Sequence, residues 1–496
     1  MLLHILCDHL TIVAIVITSI SVWAFLRWGQ DRNLNIPPGP NGSPLIGNLP
    51  AFLSSSPTDF FAECSKKFGD IFKLQLGQQR VFIVSCTDLG RKVFSNRDAQ
   101  NRVPNVAYYK VFGRNAHGIT FSSNGPCKDA RRFLLGLFRD LGVGRGSFEY
   151  KILSEAERLA MNLGERVGKR EADIKQKFFW AVSNITCGIV FGKQYEYDDP
   201  TLKQFVDFVE TLFIAAGPGA LFLTSPFLSA LPFGPGSKAL NCLRKFRKEM
   251  EKIINERISS FDPQETPCNV VDAFLLEIHN NPGNSGHINQ ENLLLCFVDL
   301  FVAGTETTTS TLSFAILFLT THLQVQEKCQ QELDLFIKGG GQLTYSERSR
   351  LPFLQAVIHE TQRVSNVAPI GIPHLADKDI KLSGFDLPKG SAIAANMKVI
   401  LMNDNVFENP EDFNPDRFIK DGAFEENPHV IPFSTGNRAC LGEKLARMEL
   451  FVFLSHLLSR YSFKPPKNVT MPSILNGIET AVTRSPLPYE VVISER

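Results

Sequence analysis

The chain has 496 residues, with 52 basic and 51 acidic side chains, and its formal net charge is +1. Such a balanced charge gives no indication of nucleic-acid binding. Its ten cysteines include no CxxC pair, which argues against a zinc site or a disulfide framework and suits a reducing compartment.

The first predicted element is a membrane anchor. Residues 10–26 lack charged side chains and are just numerous enough to span a bilayer as a helix. Asp8 precedes this run and Arg27 and Arg32 follow it, so the positive-inside bias keeps the rest of the chain in the cytosol. A cleaved signal peptide is the alternative, but no small-residue cleavage site follows. The expected organisation is a signal anchor in 1–36, a proline-rich hinge in 37–44 and one large domain in 45–496.

A helix and a β-hairpin are predicted after the hinge. The helix runs from Pro57 to Phe68, and two strands, Phe72–Leu76 and Val81–Val84, alternate around Gly77. Residues 370–398 return to a strand pattern. Turns are expected there at Ser383-Gly384 and at Pro388-Lys389-Gly390.

The middle of the chain is predicted to be helical. Residues 126–280 show this pattern, with breaks expected at Gly142-Val143-Gly144, at Asp199-Pro200 and in the Pro/Gly-rich 217–236. No linker or repeat divides the chain after residue 60. The predicted fold class is therefore mainly α with small β-sheets (α+β).

Residues Leu293 to Leu323 predict a long buried helix. The segment is apolar apart from Asp299, Glu306 and a cluster of hydroxyl groups, and it would span roughly 46 Å. Its centre, 304–311, is too polar for lipid, so the helix is expected inside the folded domain. A threonine that bonds back to an earlier carbonyl can open a helix locally, and a neighbouring acid can relay protons. A cluster of packing threonines is the alternative.

A single cysteine lies in a glycine-rich loop at residues 433–442. Cys440 precedes a helix predicted from Glu443 to Tyr461, whose N-terminus favours a thiolate. Gly436 allows a positive-φ turn, and Gly442 allows the backbone to approach a flat ligand. Arg438 supplies donors suited to a carboxylate. Together these features describe a haem site with an axial Cys ligand, although a lone cysteine can also be a small core residue.

The pattern Phe-x-x-Gly-x-Arg-x-Cys-x-Gly at 433–442 resembles the haem-binding signature of the cytochrome P450 family. Three further segments match the family in order: Ala303–Thr307, Glu360-x-x-Arg363 and Pro415–Phe418. The resemblance extends from the hinge to the C-terminal strands and is nearest the animal microsomal family-2 clan. It implies the cytochrome P450 fold, in which a long central helix lies over a Cys-ligated haem, behind an N-terminal transmembrane helix.

The resemblance also implies site residues. Cys440 would ligate the iron of haem b, and Thr307 with Glu306 would deliver protons. Arg102, Arg131, His374 and Arg438 would bind the propionates; a solvated His374 at a strand end is the alternative. The haem-binding residues implied are Arg102, Arg131, His374, Arg438, Phe433, Gly436, Gly442 and Ala303.

Two other groups complete the expected site. Glu360, Arg363 and Arg417 would form a structural lock for the Cys loop. Cys127 stands where the family has a tryptophan, and its thiol is a weaker donor than an indole N–H.

Forty phenylalanines predict a lipophilic interior. The substrate-contacting residues implied are Tyr108, Phe112, Phe205, Phe208, Phe301, Ala303, Val367, Ile370 and Ile478; ordinary core packing is the alternative for each aromatic.

The implied activity is insertion of one atom of O2 into a lipophilic small molecule such as a lipid, steroid, fatty acid or xenobiotic. Electrons would come from NADPH through a flavoprotein reductase, with cytochrome b5 as a second candidate donor. The implied location is the endoplasmic reticulum membrane, with no nucleic-acid partner. Two alternatives stay open: a hydroperoxide isomerase or dehydratase of the same fold, and a non-catalytic haem- or lipid-binding protein. The first should not need the Thr307–Glu306 pair, and the second could lose it.

Overall fold

A computed structural model describes nine stretches of the chain. The expected anchor helix at 10–26 lies outside the described residues. The described residues are 33–43, 46–54, 56–113, 118–144, 146–171, 174–216, 234–282, 288–480 and 482–496.

Helices predominate in the described residues, and we number them in chain order. They are α1 (Leu49–Ser54), α2 (Pro57–Phe68), α3 (Thr87–Ser95), α4 (Val106–Phe112), α5 (Asn124–Asp140), α6 (Gly146–Gly164), α7 (Ile174–Val190), α8 (Pro200–Ala216), α9 (Pro235–Ser259), α10 (Val270–Asn280), α11 (Gln290–Thr321), α12 (Leu323–Lys338), α13 (Pro352–Ser365), α14 (Met397–Leu401) and α15 (Glu443–Arg460).

The strands are short and belong to several small sheets. They are β1 (Ile71–Leu76), β2 (Gln79–Val84), β3 (Asn101–Arg102), β4 (Arg170–Glu171), β5 (His374–Leu375), β6 (Ile380–Leu382), β7 (Phe385–Leu387), β8 (Ala392–Ala395), β9 (Ile419–Lys420), β10 (Ala423–Phe424), β11 (Tyr461–Lys464), β12 (Gly477–Glu479), β13 (Arg484–Pro486) and β14 (Val491–Glu495). The predicted class, mainly α with small sheets, is confirmed for the described residues.

The chain divides into two compact units, and the first is rich in strands. It contains the described residues up to Asn101 together with Ile372–Val399. Its sheet has the strand order β1-β2-β8-β5, with β2 and β8 parallel. The predicted hairpin is confirmed: β1 and β2 pair antiparallel with Leu76 opposite Gln79, and Gly77 takes a positive φ of 58° in the turn. Pro57 to Phe68 is helical, as predicted.

The second unit is mainly helical and contains residues Arg102–Gly371 and Ile400–Arg496. Helix α11 lies in its core, packed against α7, α13 and α15. Of the described helices, α11 alone is long and apolar enough to cross a bilayer by those two criteria, but most of its apolar stretch is buried inside the protein. The expectation of a buried central helix is confirmed.

Glycine and proline mark boundaries of helices in the second unit where the sequence predicts them. Gly142 and Gly144 have φ values of 80° and 83° between α5 and α6. Helix α8 begins at Pro200, and the Asp199 side chain accepts a hydrogen bond from the first turn. Most of the predicted break at 217–236 lies outside the described residues.

Candidate active site

The loop before α15 presents Cys440 at the N-terminus of that helix. The Cys440 N–H donates to the Phe433 carbonyl at 3.0 Å, and the Ala439 N–H donates to the Gly436 carbonyl at 3.1 Å. Gly436 has a φ of 79°, so this turn requires a glycine. The loop is therefore a compact hydrogen-bonded turn with the cysteine at its end.

The Cys440 side chain is solvent-accessible, although protein surrounds it on most sides. This burial raises the pKa of the thiol, whereas hydrogen bonds from the Gly442 and Glu443 N–H groups lower it. Backbone donors aimed at a sulfur suit a thiolate that serves as a metal ligand. A Cβ placed on Gly442 would meet no protein atom within 4 Å, so the expected approach of its backbone to a flat ligand stays a prediction.

Three guanidinium groups lie near this loop in the second unit. Arg102 and Arg438 are buried, and Arg131 donates to the Ala439 carbonyl at 2.8 Å. Burial, which is the largest cause, and the charges of Arg438 and Arg131 together lower the pKa of Arg102 to about 9. Burial is also the main cause of the lowered pKa of Arg131 and of Arg438. Three neighbouring cations in a buried region favour an anionic ligand that carries more than one charge.

Cys127 and His374 were expected beside the same ligand. Cys127 is buried on α5, close enough to Arg102, Arg131 and Arg438 to affect the pKa of each. His374 belongs to the first unit. There its Nδ1 lies 2.6 Å from the Ala99 carbonyl oxygen, and it is a buried side chain, not a solvated one.

Helix α11 has a small accessible face. Ala303 is exposed, and Gly304 and Thr307 are partly exposed, whereas their neighbours Thr305 and Thr308 are buried. Positions 303, 304 and 307 lie on one side of a helix. The Thr307 hydroxyl donates to the Ala303 carbonyl at 2.7 Å, which is the expected bond back to an earlier residue. This face offers small side chains and one hydroxyl group.

Glu306 is tied to a cation that the sequence did not indicate. Its Oε1 lies 3.0 Å from the Lys175 Nζ on α7 and 3.0 Å from the Ser310 hydroxyl. Glu306 is buried, whereas the Lys175 side chain is 33% exposed. The ion pair therefore connects the centre of α11 with solvent.

A second buried carboxyl group contacts α11 from the helix that follows Cys440. Glu449 on α15 is 1% exposed and forms a hydrogen bond with the Thr308 side chain. Burial raises the pKa of Glu449 to about 8, so its carboxyl group is mostly neutral at pH 7. Thr307 is thus flanked by two anchored positions, 306 and 308.

The predicted lock residues lie together. Arg363 forms a bidentate pair with Glu360, with distances of 2.7 and 2.8 Å, and Arg417 Nε lies 3.0 Å from Glu360 Oε1. Arg363 also donates to the carbonyls of Leu401 and Pro410. Because Glu360 and Arg363 have no exposed side-chain surface, their charges are stabilised by these protein partners and not by water.

A short segment before α5 is held from two sides. The Asp299 Oδ2 accepts the N–H groups of Ile119 and Thr120 at 2.6 and 2.9 Å. Arg438 donates to the carbonyls of the same two residues and of Ser122. Burial raises the pKa of Asp299 to about 6. The segment is therefore fixed by the central helix and by the Cys loop together.

The residues expected to contact substrate fall into different environments. Phe205 and Phe301 are buried with ring centroids 5.2 Å apart, and Phe246 stacks on Phe208 at 3.7 Å. The remaining positions do not share one environment. Tyr108 and Phe112 are buried, and their ring centroids are 6.1 Å apart. Val367 and Ile370 are partly exposed, and Ile478 is 48% exposed.

Comparisons with known proteins decide the family. The model of the family Cytochrome P450 matches residues 37–493. The chain belongs to the cytochrome P450 family. Cytochrome P450 2J5 of Mus musculus is 34% identical over 462 residues, which cover 92% of this chain and 91% of the relative. Cytochrome P450 2J2 of Homo sapiens is 34% identical over 447 residues (88% and 87%), and Cytochrome P450 2D27 of Mesocricetus auratus over 470 (92% of each).

Cytochromes P450 are monooxygenases that hold a haem iron through a cysteine thiolate. The residues of this chain fit that group. Cys440 offers an accessible sulfur at a helix N-terminus, and Arg102 and Arg438, which are buried, and Arg131, which is partly buried, offer cations for two carboxylates. The donor set therefore agrees with the family.

Proposed function

We propose that this protein is a membrane-anchored haem-thiolate monooxygenase that inserts one atom of O2 into a lipophilic small molecule. Electrons would come from NADPH through a flavoprotein reductase, and the catalytic domain would face the cytosol from the endoplasmic reticulum membrane. The observation that carries this proposal is the hydrogen bond from Thr307 to Ala303 on an accessible face of a buried helix. A protein that only binds haem has no need of such a hydroxyl group.

Cys440 would hold the haem iron, and the thiolate-ligated haem would supply the activation of O2. The Gly442 and Glu443 N–H groups stabilise negative charge on the sulfur. Arg131 would bind a propionate while its bond to the Ala439 carbonyl fixes the loop beside Cys440. Loop geometry and prosthetic-group binding would thus depend on the same side chains.

Thr307 would direct protons at the accessible face of α11. Its hydroxyl hydrogen is held by the Ala303 carbonyl, so its oxygen is oriented to accept a hydrogen bond from a water or substrate group. Glu306 would pass protons from solvent, and its bond to the partly exposed Lys175 supports a route in which a proton from outside would reach Lys175 first. The carboxylate must leave Lys175 and Ser310 before it can serve the other face of the helix.

Reconstitution tests the proposal. The full chain is combined with an NADPH-dependent flavoprotein reductase in lipid vesicles, and oxidised product is measured for a panel of lipophilic compounds. The expected result is product that requires NADPH, O2 and reductase together. Brisk conversion of an organic hydroperoxide without NADPH, with no product in the complete system, would instead identify a hydroperoxide isomerase or dehydratase. No product in either assay would indicate a binding protein.

A further inference from the structure

Helix α9 carries a row of exposed lysines along one side. Their spacings of seven, three and four residues place them on a single helix face. The row is about 21 Å long at ~1.5 Å per residue. The α9 lysine row consists of Lys238, Lys245, Lys248 and Lys252.

The opposite side of α9 fixes the direction in which the row points. Leu243, Phe246 and Ile254 are buried, and the helix packs against α8 and α4. Arg247 reaches the carbonyl of Val111 on α4 and forms an ion pair with Glu251. The helix therefore cannot rotate without losing these contacts, and the lysine row stays on the outside of the second unit.

The charges of the row are mostly not neutralised by the protein. Within the described part of the chain, ion pairs on α9 involve Arg247 and Arg257, not the four lysines. Exposed Glu249 and Glu256 each lie four residues after a lysine of the row and offset part of its charge, while exposed Arg244 adds a positive charge beside it. The exposed groups of this surface thus sum to a clear positive charge.

The chemistry of the row favours a lipid surface over a protein partner. Protein interfaces are depleted in lysine, and their binding energy comes from tryptophan, tyrosine and arginine. The exposed face of the row contains the four lysines and, between Lys238 and Lys245, Asn241, but no aromatic residue. Phe246 belongs to the buried side of the helix. Flexible ammonium groups spread along a line are attracted to a plane of anionic headgroups without requiring a fixed geometry.

We propose that the α9 lysine row binds the anionic phospholipid headgroups of the membrane that carries this protein. The inference rests on the proposed function only for the membrane anchor, which keeps the second unit near the bilayer at a high effective concentration. The row would draw the α9 side of the unit toward membranes that contain anionic lipid. Binding would weaken as salt screens the charges.

Chemical protection of single lysines tests the inference. The full chain is reconstituted in vesicles of phosphatidylcholine alone or of phosphatidylcholine with phosphatidylserine. Each lysine is then acylated briefly with a water-soluble reagent, and the modified peptides are quantified by mass spectrometry. In anionic vesicles we expect the row to react about tenfold more slowly than in neutral ones, and high salt should restore its reactivity. Exposed Lys338 on α12 is the control and should react equally in both.

A paired variant separates binding from local shielding. Lys245→Glu with Lys248→Glu should abolish the protection of Lys238 and Lys252 in anionic vesicles, whereas Glu249→Gln should preserve it. Inorganic phosphate added to neutral vesicles should give no protection; if it does, the row is a site for free anions and the membrane inference is wrong. Equal reactivity of the row in the two membranes would also overturn it. Because this readout does not need turnover, a failure of monooxygenase activity would leave its result interpretable.

Discussion

Replacing the buried carboxyl group of Glu449 by an amide should make the stability of the protein less dependent on pH. Glu449 is 1% exposed and bonded to Thr308, so it connects the helix after Cys440 with the helix that carries Thr307. Glutamine has nearly the same shape and can keep that hydrogen bond, but it does not titrate. The substitution therefore isolates the free-energy cost of ionising the buried Glu449 carboxyl group.

The magnitude follows from the pKa of Glu449. Burial raises it from 4.5 to about 8. Between these values the folded protein keeps a proton that the unfolded chain releases, so the free energy of unfolding falls as pH rises, by ~1.4 kcal/mol per pH unit. The stability that is fully present below pH 4.5 is lost by the time the pH passes about 8, and the total loss is on the order of 5 kcal/mol.

The assay compares free energies of unfolding from urea titrations of the wild type and Glu449→Gln. The advantage of the variant over the wild type should grow by about 2 kcal/mol between roughly pH 6 and pH 8. Glu249→Gln, at an exposed position on α9, is the control and should show no such growth. If the difference between Glu449→Gln and wild type does not change with pH, the carboxyl group is already ionised in the folded protein and our reasoning is refuted.

Three further predictions concern the active site and the topology. Thr307→Ala should preserve thiolate ligation and NADPH consumption but divert electrons from product to hydrogen peroxide, because a side chain positioned to direct proton transfer is typically worth ~100- to 10,000-fold in rate. Thr309→Ala, on the buried side of α11, should keep the wild-type ratio of product to peroxide. Cys127→Trp should strengthen haem retention by on the order of 1 kcal/mol if the indole reaches a propionate, and slower haem loss to an acceptor protein would show it; faster loss would mean that the buried site cannot hold the ring. Exposed Asn468 should carry no glycan in the expressed protein if the domain is cytosolic, and a glycan there, detected by mass shift after deglycosylation, would reverse the proposed topology. Asn184 is no test of topology, because its buried amide bonds to the Tyr195 backbone and is inaccessible in the folded protein.

Local patterns in the sequence predicted the elements whose formation depends on neighbouring residues. Pro57 and Gly69 bound α2, and glycine at position 77 permits the tight turn between β1 and β2. The pairing of Glu360 with Arg363 could also be predicted, since residues three apart share a helix face. The bond of Thr307 to Ala303 belongs to the same class, because it spans one helical turn.

Contacts between distant segments could not be predicted in this way. Lys175 is 131 residues from Glu306, and nothing in the sequence around it distinguishes it from a surface lysine. Glu449 lies in an apolar run of α15, which is a clue to burial, but its partner Thr308 is a matter of helix packing. For the same reason the family resemblance could place Phe205, Phe208 and Phe301 in one group with Ile478, although the three rings are buried and Ile478 is half exposed.

The axial ligand is the central claim, and the spectrum of the reduced carbon monoxide complex tests it most directly. Cys440→Ser removes the sulfur, and an oxygen ligand cannot reproduce the electron donation of a thiolate. We expect the red-shifted Soret band of the thiolate-ligated complex in the wild type and its loss in Cys440→Ser, while Cys127→Ser, at the other cysteine near the arginines, should keep the band. A Cys440→Ser protein that retains both the band and full turnover would contradict the account, because another residue would then ligate the iron.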